Sequence, residues 1–116
     1  MKEAVVYAQK TTIRAPMGKV AQLRSLIAEK YLPAVSARTG FVAAYLLEQV
    51  DDPDACELIQ FWDNQTAIEN LNRTGVLQAS IQTIAADLPG VHIQREGYII
   101  RVAIGNVPEL AQTAHT

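Results

Sequence analysis

The chain has a single cysteine, Cys56, so no disulfide can form within it and nothing in it points to an oxidising compartment. Its two histidines, His92 and His115, stand apart from any cysteine or acid cluster at ligand spacing, so no metal is expected. There is no glycine-rich loop of the kind that cradles phosphate. Ten basic residues face twelve acidic ones, for a net charge of −2, and the basic ones form no cluster. A nucleic-acid partner is therefore not expected. No apolar run is long enough to span a bilayer, so no membrane partner is expected either. The opening Met1-Lys2-Glu3-Ala4-Val5-Val6 lacks the apolar core and small-residue cleavage site of a signal peptide. These absences lead to the expectation of a cytoplasmic protein. Cys56 itself reads as a small core residue rather than a nucleophile.

What the chain does have is apolar surface to bury. At 116 residues, 49% hydrophobic and 19% charged, it is the size of one domain and too apolar for disorder. No repeat, linker or low-complexity tract divides it. Ala4 to Ile13, rich in Val, Tyr, Thr and Ile, predicts a first strand. A helix follows from about Lys19, with Val20, Leu23, Ile27 and Tyr31 at helical spacing, Leu26 beside them, and Lys19, Arg24, Glu29 and Lys30 on the wet side. Pro33 is expected to kink or end it.

Gly40 to Leu47 predicts strand two, Asp51-Asp52-Pro53-Asp54 a turn, and Leu58 to Trp62 strand three. Asp63 or Asn64 is the expected N-cap of a short helix through Leu71, interrupted at Arg73-Thr74-Gly75. A further helix is predicted from about Val76 to Leu88, with Leu77, Ile81, Ile84 and Leu88 on one stripe, stopped by Pro89-Gly90. The last strand lies within Val91 to Ile104, with Gly97 marking a bulge or bend. Residues 1–104 are read as one domain, and 105–116 as a loose tail or an arm reaching a partner.

The order β-α-β-β-α-β, with the second helical segment broken in two, is that of the ferredoxin-like α+β fold: a four-stranded antiparallel sheet with helices on one face. Strands two and three are apolar on both sides, whereas a half-buried strand alternates. Val42, Ala44 and Leu46 fall on one side of strand two; Phe41, Ala43, Tyr45 and Leu47 fall on the other. The helices can cover one face. A second copy of the chain is expected to cover the other, giving a homodimer.

Gly18-Lys19, Tyr31-Leu32-Pro33, Gly40-Phe41, Asp52-Pro53 and Trp62-Asp63-Asn64-Gln65-Thr66-Ala67, in that order, resemble the antibiotic biosynthesis monooxygenase (ABM) domain family of the dimeric α+β barrel superfamily. The resemblance covers about residues 4–102. It implies a homodimer whose sheets pack face to face, and a ligand cavity in each subunit between sheet and helices. Members of that family include cofactor-free oxygenases acting on aromatic polyketides, haem-degrading enzymes and small-molecule isomerases. The haem-degrading branch uses an Asn on the first strand, a Trp late in the helix after strand three, and an iron-binding His beyond a break. Here those places hold Gln9 or Lys10, Leu71 and about Ile81, so haem is not expected, nor any other cofactor.

Tyr7, Gln9, Tyr45 and Gln60 are polar groups within apolar strands, and each needs a partner if buried. They are candidates to line a cavity and orient a small apolar ligand; alternatively they bond one another or sit at the dimer seam. Trp62 is either a ligand-facing ring or an apolar plug at the strand–helix junction. His92 is either a proton shuttle or a solvated histidine at a strand start. Arg95 and Arg101 are either holders of an anionic ligand or surface residues. Two functions fit: a cofactor-independent monooxygenase acting on a small apolar or aromatic molecule, or a non-catalytic dimeric domain that binds a ligand or a protein.

Overall fold

The computed structural model describes residues 6–105 of the chain, and the tail beyond them lies outside the described residues, as do Ala4 and Val5 of the predicted first strand. Four strands, β1 (Tyr7–Arg14), β2 (Phe41–Glu48), β3 (Ala55–Trp62) and β4 (His92–Ile99), form one antiparallel sheet in the order β2-β3-β1-β4. Helices α1 (Val20–Leu26), α2 (Leu32–Ser36), α3 (Gln65–Thr74) and α4 (Val76–Asp87) complete the ferredoxin-like α+β arrangement.

Directly opposed residues of a sheet share a face, so the register defines what the helices cover. On the inner face the rows read Phe41–Trp62–Tyr7–Ile99, Ala44–Gln60–Gln9–Gly97, Leu46–Leu58–Thr11–Arg95 and Glu48–Cys56–Ile13–Ile93. Cys56, Leu58, Gln60 and Trp62 are buried, while the alternate residues of β3 are only half-buried. The core joins Ile13, Leu58 and Trp62 of the sheet to Leu23, Ile27, Val35, Ile68, Leu71, Ile84 and Leu88 of the helical layer. Cys56 is a core residue, as expected.

The segment from Val20 to Ser36 is continuous despite Pro33. A π-helical turn, Ile27–Tyr31, joins α1 to α2, and the Leu32 N–H reaches back to the Ile27 carbonyl. The sequence explains the widened turn. Leu23, Ile27, Tyr31 and Val35 are all buried and stand four residues apart throughout. In a pure α-helix three such steps drift about 120° around the axis. One wide turn cancels most of that drift and keeps the four on one face. It also places Pro33 in the first turn of α2, where a missing N–H is harmless. The predicted kink is thus a change of helix type, and the helix runs on to Ser36.

The irregularity in the sheet is not at Gly97, where pairing with Gln9 is unbroken, but at Val42 in β2. That bulge shifts the alternation by one residue. Phe41 therefore joins Ala44 and Leu46 on the inner face, edge-on to Trp62 at 5.5 Å, instead of siding with Ala43 and Tyr45. Asn64, of the two expected caps, is the one that closes α3, its Oδ1 accepting the Ala67 N–H at 2.7 Å. Gly75, at φ 80°, ends α3 and leads directly into α4, which accounts for the broken second helical segment. The side chain of Leu77, placed on the α4 stripe by the sequence, lies outside the described residues. β4 stops at Ile99, short of Ile104, which is almost fully exposed.

Candidate functional site

The inner face of β1 is polar where a core is normally apolar. Gln9 and Thr11 are 4% and 3% exposed, and Gln60 beside Gln9 is fully buried. A wholly apolar core would leave such groups without partners, at about 1–3 kcal/mol for each lost donor or acceptor.

One of the three is satisfied by a buried chain. The Trp62 indole donates to Gln60 Oε1 at 3.2 Å, and Gln60 Nε2 donates to the Tyr31 hydroxyl at 2.7 Å. An indole N–H can only donate, so it fixes which end of the Gln60 amide faces it. The Tyr31 oxygen must then accept, and its own hydrogen is left to point elsewhere. Burial raises the Tyr31 pKa above the usual phenol value, while the Gln60 bond and the Arg95 charge pull it down. The phenol stays neutral and available as a donor.

The other groups are not satisfied by the protein. Gln9 Nε2, Thr11 Oγ1 and Arg95 Nη1 are buried with no hydrogen-bond partner among the described residues. They are neighbours: Thr11 lies directly opposite Arg95, and Gln9 is one row away opposite Gly97. The Arg95 charge acts on Tyr7 as well as on Tyr31. Burial raises the Tyr7 pKa, Glu69 raises it further, and Arg95 opposes both.

Tyr7 reaches this group because of Gly97. A β-carbon at Gly97 would collide with the Tyr7 hydroxyl and press on its ring, at 2.8 Å from Cζ. The phenol therefore lies flat across β4, in the slot that the glycine leaves open. Ile99, in the next row, is 42% exposed, so the inner face meets solvent at this end of the sheet.

The structure thus brings together Tyr7, Gln9, Gln60, Trp62 and Arg95 from the residues singled out in the sequence. Tyr45 does not join them. It opposes Ile59 on the outer face and packs edge-on to Phe61 at 6.0 Å, because the parity of β2 beyond the bulge turns it away from the helices. His92 does not join them either. It is exposed, opposes Arg14 and lies on the outer face, seven residues along the strand from the Tyr7 row, roughly 23 Å away at strand rise. Arg101 is exposed beyond the end of β4. Tyr31 and Thr11 were not singled out in the sequence. Tyr31 sits at the spacing of a core stripe, where only the need of a buried hydroxyl for a partner marks it. Thr11 reads as a strand former, marked only by sharing odd parity with Tyr7 and Gln9.

Chemically, the cluster is a set of donors. It can hold an oxygen atom and stabilise negative charge on it. Among the described residues no three His, Cys, Asp or Glu side chains converge, and no helix is long and apolar enough to cross a membrane.

No family model and no curated protein matches the chain. Solved structures do. SnoaB, a cofactor-independent oxygenase from Streptomyces nogalater, superposes with a TM-score of 0.72 at 16% identity, over 89% of this chain and 100% of that one. A provisionally assigned antibiotic biosynthesis monooxygenase from Deinococcus radiodurans gives 0.72 at 19% identity, over 88% and 99%.

The chain has the ABM fold.

A protein of unknown function from Nitrosomonas europaea, with a TM-score of 0.70 at 19% identity over 92% and 100%, has this fold as well, so the fold is found without an assigned activity. The sequence motifs from Gly18-Lys19 to Trp62–Ala67 thus led to the right architecture, at identities too low for the ABM likeness to carry more than fold.

Proposed function

We propose that the chain forms a cleft between sheet and helices beside these residues, that it binds a small aromatic molecule there through its oxygen substituents, and that the protein acts on it as a cofactor-independent monooxygenase. The observation that carries this reading is the group of three buried, partnerless polar atoms on adjoining positions of β1 and β4: Gln9 Nε2, Thr11 Oγ1 and Arg95 Nη1. Their cost to the folded chain is offset when a ligand supplies the acceptors. The likeness to a cofactor-independent oxygenase supports the choice of oxygen chemistry.

The reaction needs no reductant because the substrate supplies the electrons. A doubly benzylic CH₂ loses a proton to solvent, and its carbanion is delocalised onto a ring oxygen. O₂ adds at that carbon to give a peroxide, and loss of water leaves a ketone: R₂CH₂ + O₂ gives R₂C=O + H₂O. The protein's part is to hold the ring and stabilise the oxyanion. We extend the proposal to a homodimer in which a second copy covers the outer face, where Ala43, Tyr45, Ile59 and Phe61 form an apolar centre.

The test is oxygen uptake with 1,8-dihydroxyanthrone. Uptake above the buffer rate, one O₂ per quinone formed and lost in Gln9→Leu, is the expected result. A non-catalytic binding domain is the second reading, favoured by the absence of any carboxylate or histidine among the residues brought together here. Tight binding of the anthrone without uptake would select it, and no binding at all would overturn both.

A further inference from the structure

The inference rests on the reading of the cleft as a small-molecule site and concerns which molecules it takes. Every orphaned polar atom of the cluster can donate: the Gln9 amide nitrogen, the Arg95 guanidinium nitrogen and the Thr11 hydroxyl. Tyr31 adds a fourth donor, because its oxygen already accepts from Gln60. Tyr7, lodged over Gly97, brings a fifth donor, its hydroxyl, to the same end. Among the described residues no carboxylate makes an ion pair or hydrogen bond with any of them. Glu96, next to Arg95 in the chain, belongs to the outer face, where it accepts from Tyr98 at 2.8 Å. Glu69 is exposed on α3 and acts on Tyr7.

Arg95 therefore differs from Arg14 and Arg24. Arg14 and Arg24 each hold a carboxylate at 2.6 Å on the surface. Arg95 makes no ion pair among the described residues although one of its nitrogens is buried. A buried guanidinium nitrogen beside other donors repels a cationic ligand and lacks only a negative oxygen.

We propose that the cleft selects an anionic aromatic ligand, a carboxylate, phenolate or enolate on an apolar body, with Arg95 as its counter-ion and Gln9, Thr11 and Tyr31 as the donors that complete the oxyanion's shell. Arg95 is thus the residue that sets specificity, and a neutral ligand of the same shape leaves its charge unanswered.

Calorimetric titration of the full chain with 2-naphthoate and with 2-naphthamide tests this. The naphthoate binds about tenfold or more tightly than the amide, in keeping with a hydrogen bond to a charged group. Arg95→Gln removes that preference by weakening the naphthoate alone, and Arg95→Lys, which keeps the charge but loses the fork, restores part of it. Arg101→Gln, on the exposed segment after β4, leaves both affinities unchanged, and thermal melts confirm that each variant is folded. Equal affinity for the two probes, or an equal loss of both in Arg95→Gln, overturns the charge selection while the small-molecule reading stands. Failure of both probes to bind overturns that reading and this inference with it.

Discussion

The indole of Trp62 donates to Oε1 of Gln60, and that bond orients the buried chain ending at the Tyr31 hydroxyl. Gln60→Leu keeps the volume but strips partners from two buried polar groups. Each group left bare costs about 1–3 kcal/mol. The variant is expected to lose stability in urea unfolding by about that amount per group, whereas Gln60→Glu, which still accepts from Trp62, should show a new dependence on pH as its buried acid ionises. An unchanged unfolding midpoint in Gln60→Leu would mean that the chain carries no stability.

Gly97 and Tyr7 are predicted to couple. Gly97→Ala drives the Tyr7 phenol out of its slot and should destabilise the fold by about 1–3 kcal/mol, as other over-packed sites do. Tyr7→Ala in the same chain removes the collision, so the double variant should be more stable than the two single losses added together. Strict additivity in the cycle would show that the two do not touch in solution.

The outer face is predicted to be a dimer seam. Light scattering at micromolar concentration should give twice the chain mass of 12.7 kDa. Ile59→Asp, in the middle of β3 on that face, should split or precipitate the dimer, because a buried unpaired carboxylate is costly there. A wild-type mass of one chain would refute the seam.

Two ion pairs give a stability that depends on acid. The Arg14 guanidinium lowers the Asp52 pKa, first through their hydrogen bond and then with help from the Asp54 N–H, and the Arg24 bond lowers that of Glu48. Both folded values lie below the ordinary 3.8 and 4.5. The stabilisation is therefore complete above those ordinary values and disappears as pH falls through the folded ones. Arg24→Gln should lower the melting temperature at neutral pH and make ever less difference as pH falls through the folded Glu48 value, and about 1 M salt should shrink the effect because the pair is exposed. A difference that persists in acid would assign it to lost packing of the Arg24 stem.

How far the sequence could be read depended on what each signal measures. Hydrophobic periodicity and turn residues located the strands and helices, since burial and backbone freedom act locally. Parity in β2 failed at Phe41, because the Val42 bulge leaves no mark in the types of its neighbours. The same break hid which way Tyr45 faces. Gly97 was correctly noticed as unusual in a strand, but its reason lies on β1, in a tyrosine far away in sequence. β3 begins at Ala55, three residues before the run of Leu58 to Trp62, since Cys56 and Glu57 alternate and an apolar run was the signal sought. Of the site, Gln9 and Gln60 were legible as polar residues in apolar strands. Their division into a satisfied member and an orphan depends on Tyr31, whose hydroxyl the helical stripe concealed.

The π turn has a consequence for how this chain can change. Removing Ala28 would restore the four-three-four spacing of a plain amphipathic helix to Leu23, Ile27, Tyr31 and Val35, so the stripe itself could spare that residue. Pro33 could not. Without the wide turn before it, the proline would stand inside a continuous α-helix, at a cost of about 3 kcal/mol. Deletion of Ala28 should therefore unfold or severely weaken the chain, and Pro33→Ala made first should rescue it, as melts of the two variants would reveal. In evolutionary terms the inserted residue and the proline form a ratchet: the codon for one cannot be lost while the codon for the other remains, and a lineage that carries both keeps its widened helix by contingency as much as by selection.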